Sequence, residues 1–135
     1  MADFRIEFPD FPAADMPTIP AGFEDVSWHN NMCPSFASDA FGLEIWIDFA
    51  NPAKREYEGE YPRFSVSQQR NGVEYSGPSI QADSWDEILA FVESCRKTRI
   101  DELSAQIEAE SLGQCRQDVF TYLNQMIETL FALEA

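Results

Sequence analysis

The dipeptide Asn71-Gly72 is the feature that most limits how this chain folds, because it separates two short strand-like runs. Both central positions of a two-residue type I′ turn need a positive φ, which asparagine and glycine accept most easily. Residues 63 to 69 and 73 to 76 are therefore predicted to form an antiparallel β-hairpin. Gly77-Pro78 breaks its second strand, and we expect residues 79 to 81 to prolong that strand beyond a bulge.

Residues 43 to 49 predict the clearest single strand, because large apolar side chains occupy every second position until Asn51-Pro52 ends the pattern. Between residues 22 and 38, aromatic residues are mixed with turn formers, which predicts one short strand around Val26 that leads into a loop. Together with the hairpin, these segments predict an antiparallel sheet of three to five strands within residues 21 to 83.

The first twenty residues predict a strand followed by a proline-rich arm. Phe4, Ile6 and Phe8 alternate with charged residues, and four prolines then impose an irregular path from residue 9 to residue 20. Because apolar side chains lie between the prolines, we expect the arm to pack across the body of the protein or across a partner.

Helical patterns begin after the sheet. Ser84 and Glu87 have the spacing of a capping box, and an apolar stripe follows over residues 84 to 99. The stripe continues at helical spacing, as one long helix or as two helices that meet near Thr98. Residues 100 to 135 are predicted to form a helical hairpin, which either completes the monomer core or joins two copies of the chain.

The 135 residues carry a formal charge of −15, since 24 acidic residues oppose 9 lysines and arginines. With 44% hydrophobic residues, the chain can fill one core and is expected to form a single domain, residues 1 to 135. The predicted strands followed by helices make that domain α+β. The charge disfavours direct binding to nucleic acid or anionic lipid and favours a partner protein with a basic groove. No run is apolar enough for a membrane span and the N-terminus lacks a secretion signal, so we expect a cytoplasmic location.

The negative charge is segregated along the chain. Residues 1 to 62 hold 12 acidic and 3 basic residues, residues 63 to 99 hold 5 of each, and residues 100 to 135 hold 7 acidic and 1 basic. The carboxylates that we assign to partner contact are Glu56, Glu58, Glu60, Asp101, Glu102, Glu108 and Glu110. In an extended segment the first three would lie about 7 Å apart, close to the spacing of successive phosphates.

An acidic face that serves only solubility is the alternative interpretation of these carboxylates. A bound calcium or magnesium ion would need a ligand loop, and no such loop pattern occurs. No metal site and no cofactor are therefore predicted.

The segment WHNNMC, residues 28 to 33, contains the only histidine. Trp28 and His29 are candidate partner contacts, because aromatic side chains on a structured loop often bind other proteins. Two alternatives are that His29 activates Cys33 as a nucleophile, or that Trp28 anchors the loop in the core. Neither a nucleophile elbow nor a glycine-rich oxyanion loop surrounds the pair, so a protein without catalytic residues is predicted. The three cysteines lack disulfide or zinc spacing and are expected to be reduced and mostly buried.

Four sequence segments carry a resemblance to known proteins: IPAGFEDVSWHNNMCPSF, GLEIWIDFANPAKRE, RFSVSQQRNGVEYSG and SWDEILAFV. Over residues 18 to 93 the chain resembles small proteins of phages and other mobile elements. Small acidic proteins from such elements are similar in kind to anti-CRISPR proteins, which often occupy the nucleic-acid path of a surveillance complex. The resemblance implies an inhibitor that acts inside a bacterial host, and it implies neither a fold nor a site residue.

Three functions are then hypotheses. The first is an acidic inhibitor that mimics DNA and occupies the basic groove of a CRISPR effector complex, which would block target DNA binding. The second is an immunity protein that neutralises a toxin nuclease by the same electrostatic attraction. The third is a structural dimer or assembly adaptor built on residues 100 to 133.

Overall fold

The computed structural model describes residues 2–112 and 117–133, and it has an antiparallel sheet packed against two long helices. The predicted α+β class is confirmed. Short 3₁₀ turns occupy Ala13–Asp15 and Pro52–Lys54. The helices and strands are α1 (Phe4–Glu7), β1 (Glu24–Asp25), β2 (Ser35–Ser38), β3 (Leu43–Ile47), β4 (Phe64–Arg70), β5 (Val73–Glu74), β6 (Ile80–Ala82), α2 (Trp85–Leu112) and α3 (Gln117–Ala132).

The sheet has the order β1-β2-β3-β4, and both β5 and β6 pair with the remaining side of β4. The second hairpin strand is thus continued after Gly77-Pro78, as predicted. The described residues form six strands rather than three to five, partly because this break divides one strand into two. The other reason is β2, whose four residues are too few to show a strand period and which becomes a strand by pairing with β1 and β3.

The predicted turn of the hairpin is confirmed. Arg70 pairs with Val73, and the two residues between them, Asn71 and Gly72, have φ angles of 56° and 79°. The Gly72 amide also donates a hydrogen bond of 2.7 Å to the side-chain oxygen of Gln69. This turn holds the end of β4 in register with β5.

The strand predicted at the N-terminus is wrong, because residues 4 to 7 are helical. Asp3 caps this helix by accepting a hydrogen bond from an amide in its first turn, and Asp25 accepts one of 2.7 Å from its first amide. These bonds satisfy amides that a strand would have paired with a neighbouring strand. The arm that follows packs on the body of the protein, where Phe11 is buried against Phe49.

The strand predicted around Val26 is shorter than expected. The strand ends at Asp25, although the Val26 amide still donates a hydrogen bond of 3.0 Å to the Ser35 carbonyl oxygen, and Trp28 lies in the loop beyond. The ladder stops there because the Ser35 amide donates to the hydroxyl of Ser27, over 3.2 Å, rather than to backbone of β1.

One helix of 28 residues, α2, begins after Ser84, whose hydroxyl accepts a hydrogen bond of 3.4 Å from the Glu87 amide. Of the two predicted alternatives, one long helix is therefore correct, and two helices that meet near Thr98 are not. The helix continues because Leu103 extends its buried apolar stripe. Gly113, which we expect to mark the turn of the helical hairpin, lies outside the described residues, as does Cys115, the third cysteine.

The core lies between one face of the sheet and the two long helices. Leu43, Ile45 and Ile47 of β3 are fully buried, since they share the face that the helices cover. The apolar stripe of α3 is also buried within the same chain, which favours a hairpin that completes the monomer core. Its buried members are Leu123, Met126 and Leu130.

Candidate partner-binding surface

Most of the described arginine side chains are buried or half-buried, with Arg5 as the exception. Arg96 and Arg99 of α2 are only 8% and 6% exposed. Arg99 donates hydrogen bonds to the carbonyl oxygens of Ala40 (3.0 Å) and Asp39 (3.1 Å), in the loop between β2 and β3. Backbone acceptors of this kind allow a guanidinium group to be buried while it stays charged.

Two further arginines brace the loop between β3 and β4. Arg55 donates to the carbonyl oxygen of Phe49 over 2.7 Å, and Arg63 donates to those of Asp48 (3.0 Å) and Asp15 (2.7 Å). Both side chains therefore hold backbone in place, and both are half-buried.

Glu102 connects two arginines from different elements. Its carboxylate accepts two hydrogen bonds from Arg70 of β4, at 2.9 and 2.7 Å, and one of 2.6 Å from Arg99. Burial acts to raise the pKa of Glu102, but these bonds and charges outweigh it and hold the pKa below its usual value. The Glu102 carboxylate is therefore used inside the fold, and its assignment to partner contact stays a prediction.

The outer surface is consequently more acidic than the net charge implies. Among the residues with described side chains, only three basic residues are exposed, namely Arg5, Lys54 and Lys97. Folding draws the other described cations inward and leaves most carboxylates in water. The exposed acidic residues are Asp10, Glu24, Asp39, Glu56, Glu58, Glu60, Glu74, Asp83, Asp86, Glu87, Glu93, Asp101, Glu108, Asp118 and Glu128.

Glu56, Glu58 and Glu60 are all exposed, but the extended geometry predicted for them is wrong. They lie in a series of turns that follows the 3₁₀ turn at Pro52–Lys54, and Glu58 itself has a φ of 50°. The chain turns here because Gly59 accepts a φ of 84° and lies close to Pro52. The regular spacing of about 7 Å between these carboxylates therefore does not apply.

The acidic set on α2 is divided by burial. Asp101 and Glu108 are exposed, and their separation of two helical turns places them on the same side of the helix, as predicted. Glu110 is half-buried. The α2 face therefore presents fewer carboxylates to solvent than the sequence indicated.

Trp28 does not anchor its loop in the core, because half of it is exposed. Its ring packs against the His29 ring at a centroid distance of 4.2 Å, and His29 Nδ1 lies 3.1 Å from Glu7 Oε1. The pair therefore forms an exposed aromatic group next to α1, the arrangement expected of contact residues.

Cys33 lacks the properties of a nucleophile. It is buried, and this burial together with the negative charge of Asp48 raises the pKa of its thiol to about 12. The thiolate is thus scarce at neutral pH. Cys95 is half-buried, and both described cysteines are free thiols, as expected.

A cleft of about 550 Å³ lies on the sheet face that points away from the helices. Its floor follows one row across three strands, since Trp46 pairs with Ser65 and Ser65 with Gln81. One wall is residues 30 to 33 and the other is residues 55 to 63. The sequence analysis did not predict this site. Its signal in the sequence is EYEGEY, residues 56 to 61, where the lining residues Tyr57, Gly59 and Tyr61 alternate with the three glutamates. The lining residues used below are Trp46, Asp48, Arg55, Tyr57, Tyr61 and Arg63.

Comparisons of the chain matched no family model, no curated protein and no solved structure. Across residues 2–112 and 117–133, none of the helices has an apolar stretch of the length that a bilayer span requires. The same residues contain no group of three or more His, Cys, Asp or Glu side chains placed to hold a metal ion.

Proposed function

We propose that the protein is a stoichiometric inhibitor that occupies the basic nucleic-acid groove of a partner protein, in a CRISPR effector complex of a bacterial cytoplasm. The observation that carries the proposal is the sorting of charge: arginines are bonded inside the fold while carboxylates cover the surface. A surface of one sign attracts a groove of the opposite sign and speeds association with it. The action is one of binding, without catalysis.

Competition with DNA tests this function. Purified protein is added in increasing amounts to CRISPR effector complexes of different types, and the binding of labelled target DNA is measured. We expect DNA binding to be lost when protein and complex are about equimolar. Raising the salt from about 0.1 M to about 1 M shortens the screening length from about 10 Å to about 3 Å, so inhibition should weaken steeply.

Variants identify the contributing surface. The triple variant E56Q/E58Q/E60Q should inhibit about tenfold less, because three exposed charges are lost from one loop. The matched control E74Q/D118N/E128Q also removes three exposed charges, from β5 and α3, and should inhibit almost as well as the wild type. Failure to displace DNA from any effector complex would reject the function, and tight capture of a toxin nuclease would replace it with the immunity-protein hypothesis.

A further inference from the structure

The carboxylate of Asp48 lies in the cleft with acceptor capacity left over. Its Oδ1 accepts a hydrogen bond of 2.8 Å from the Phe49 amide, and no other hydrogen bond to this carboxylate is present among the described residues. Arg55 and Arg63 are near enough to act on it electrostatically, but their hydrogen bonds go to backbone carbonyl oxygens. Burial accordingly raises the pKa of Asp48, the direction expected of a desolvated carboxylate that is short of donors.

Three aromatic rings form part of the lining. Tyr57 and Tyr61 pack edge to face at a centroid distance of 5.4 Å, yet each is about half exposed. Trp46 contributes a third ring from the floor. Faces of such rings attract planar guanidinium groups, by cation–π attraction and by stacking.

The loop that lines the cleft also carries negative charge. Glu56, Glu58 and Glu60 alternate along it with the lining residues Tyr57 and Tyr61, and all three are exposed. Glu56 is near enough to Asp48 to act on it electrostatically, so the loop contributes negative charge beside the two lining arginines. The cleft volume of about 550 Å³ leaves room for a cationic side chain and for the residues that flank it.

We propose that this cleft binds an arginine side chain of the basic partner, with its guanidinium group hydrogen-bonded to Asp48 and stacked on Tyr57 and Tyr61. Arginine fits better than lysine because its planar fork can make both contacts together. The basic nature of the partner rests on the proposed function. The cleft itself can be tested without the partner.

The probe is the peptide acetyl-Gly-Gly-Arg-Gly-Gly-amide, compared with the same peptide carrying citrulline, a neutral isostere of arginine. Binding is followed by NMR through the indole N–H signal of Trp46. The arginine peptide should cause a saturable shift, and the citrulline peptide should bind about tenfold more weakly or not at all, since it lacks the charge.

Variants separate the cleft from general attraction. D48N should weaken the arginine peptide about tenfold, whereas D10N, the same change at an exposed position outside the cleft, should leave it unchanged. Y57A/Y61A should also lose binding, and Y57F/Y61F, which keeps both rings, should retain it. A cooperative thermal transition without loss of melting temperature shows that the fold of each variant is intact.

Equal binding of the two peptides, or full binding by D48N, overturns the proposal. So does loss of binding in E56Q/E58Q/E60Q together with no effect of D48N, because the peptide would then be held by surface charge alone. If the cleft fails these tests while the protein still displaces DNA, the proposed function survives without this inference. If the peptide binds in the cleft but the protein does not displace DNA, the cleft inference survives and the proposed function is rejected.

Discussion

The Glu102 carboxylate links strand β4 to helix α2, because it bonds one arginine from each. Arg70 belongs to β4 and Arg99 to α2, and their guanidinium groups share the one carboxylate. Arg99 also donates to the backbone between β2 and β3, so this cluster connects the sheet, a loop and the longest helix. Removal of the Glu102 carboxylate would leave two guanidinium groups without their anionic partner in a largely dehydrated place.

The variant E102Q should therefore lower the free energy of unfolding by about 2 kcal/mol. Urea unfolding measures this change. The control is D101N, which removes the same charge from the exposed residue next to Glu102 and should cost no more than about 0.5 kcal/mol. The lowered pKa of Glu102 means that its contribution is present above pH 4.5 and is lost as the pH falls through the folded-state value. Equal losses in E102Q and D101N would contradict the role assigned to the cluster.

Asp48 gives the opposite pH dependence. Its pKa is raised in the folded protein, mainly by burial, so the ionised form opposes folding once the pH exceeds the folded value. D48N should be at least as stable as the wild type at pH 7, and the difference should disappear below pH 3.8, where the unfolded chain is also protonated. Thermal unfolding of both proteins from pH 3 to pH 7 tests this, and a D48N protein that is less stable at pH 7 would contradict it.

At the scale of elements, β4 organises the sheet because β3, β5 and β6 all pair with it. Two glycines with positive φ act on this strand. Gly72 lies in the turn that follows β4, and the carbonyl oxygen of Gly42 accepts a hydrogen bond from Arg70. The two differ in surroundings: a Cβ at Gly72 would meet nothing within 4 Å, whereas one at Gly42 would lie 2.9 Å from Arg70 Cζ.

The substitution Gly72→Ala should thus cost only the strain of its backbone angle, about 1 kcal/mol. Gly42→Ala should cost more than about 2 kcal/mol, because it combines that strain with displacement of Arg70 from its hydrogen bonds. Chemical denaturation of both variants measures the difference. A larger loss in G72A than in G42A would show that the turn, rather than the arginine cluster, limits stability.

Across the whole molecule, the sorting of charge has a cost. Exposed carboxylates outnumber exposed cations in the described residues, and like charges on a compact body repel one another. The same property that suits the surface for a basic groove therefore reduces stability in dilute salt. A bound cationic partner would relieve this repulsion, so binding and stability are linked.

Added salt should raise the melting temperature, because screening weakens repulsion between the carboxylates. The variant E56Q/E58Q/E60Q should melt higher than the wild type at about 0.01 M salt, and the gap should narrow at about 1 M. Scanning calorimetry in sodium chloride measures both effects, with equal osmolarity of sucrose as the uncharged comparison. A melting temperature that falls as salt is added would show that internal ion pairs, rather than surface repulsion, dominate.

Local chemistry made several parts of the fold predictable. The turn at Asn71-Gly72, the strand β3 and the cap at Ser84 depend on residues close together in the chain. The N-terminal strand was wrongly predicted because the alternation of Phe4, Ile6 and Phe8 gives no sign that the first amide of α1 donates a hydrogen bond to Asp25, 21 residues away. β2 was missed because only its pairing with β1 and β3 makes it a strand.

The candidate site was predictable only in part for the same reason. Glu56, Glu58 and Glu60 are conspicuous in the sequence, but the cleft beside them needs Trp46 and Asp48 from another segment. No local sequence pattern predicts that two loops and a row of strand residues together form one cleft. Tyr57 and Tyr61 acquire their proposed role only through that enclosure.

The sequence by itself determined that this protein is acidic, that its charge is segregated, and that a hairpin precedes a capped helix. Only the tertiary structure decided which charges reach water. Arg99 is buried because it finds a carbonyl oxygen 59 residues away, and Glu102 is withdrawn from the surface because Arg70 reaches it from β4. Propensity acts over a few residues, whereas the partners that permit burial of a charge are brought together by the fold.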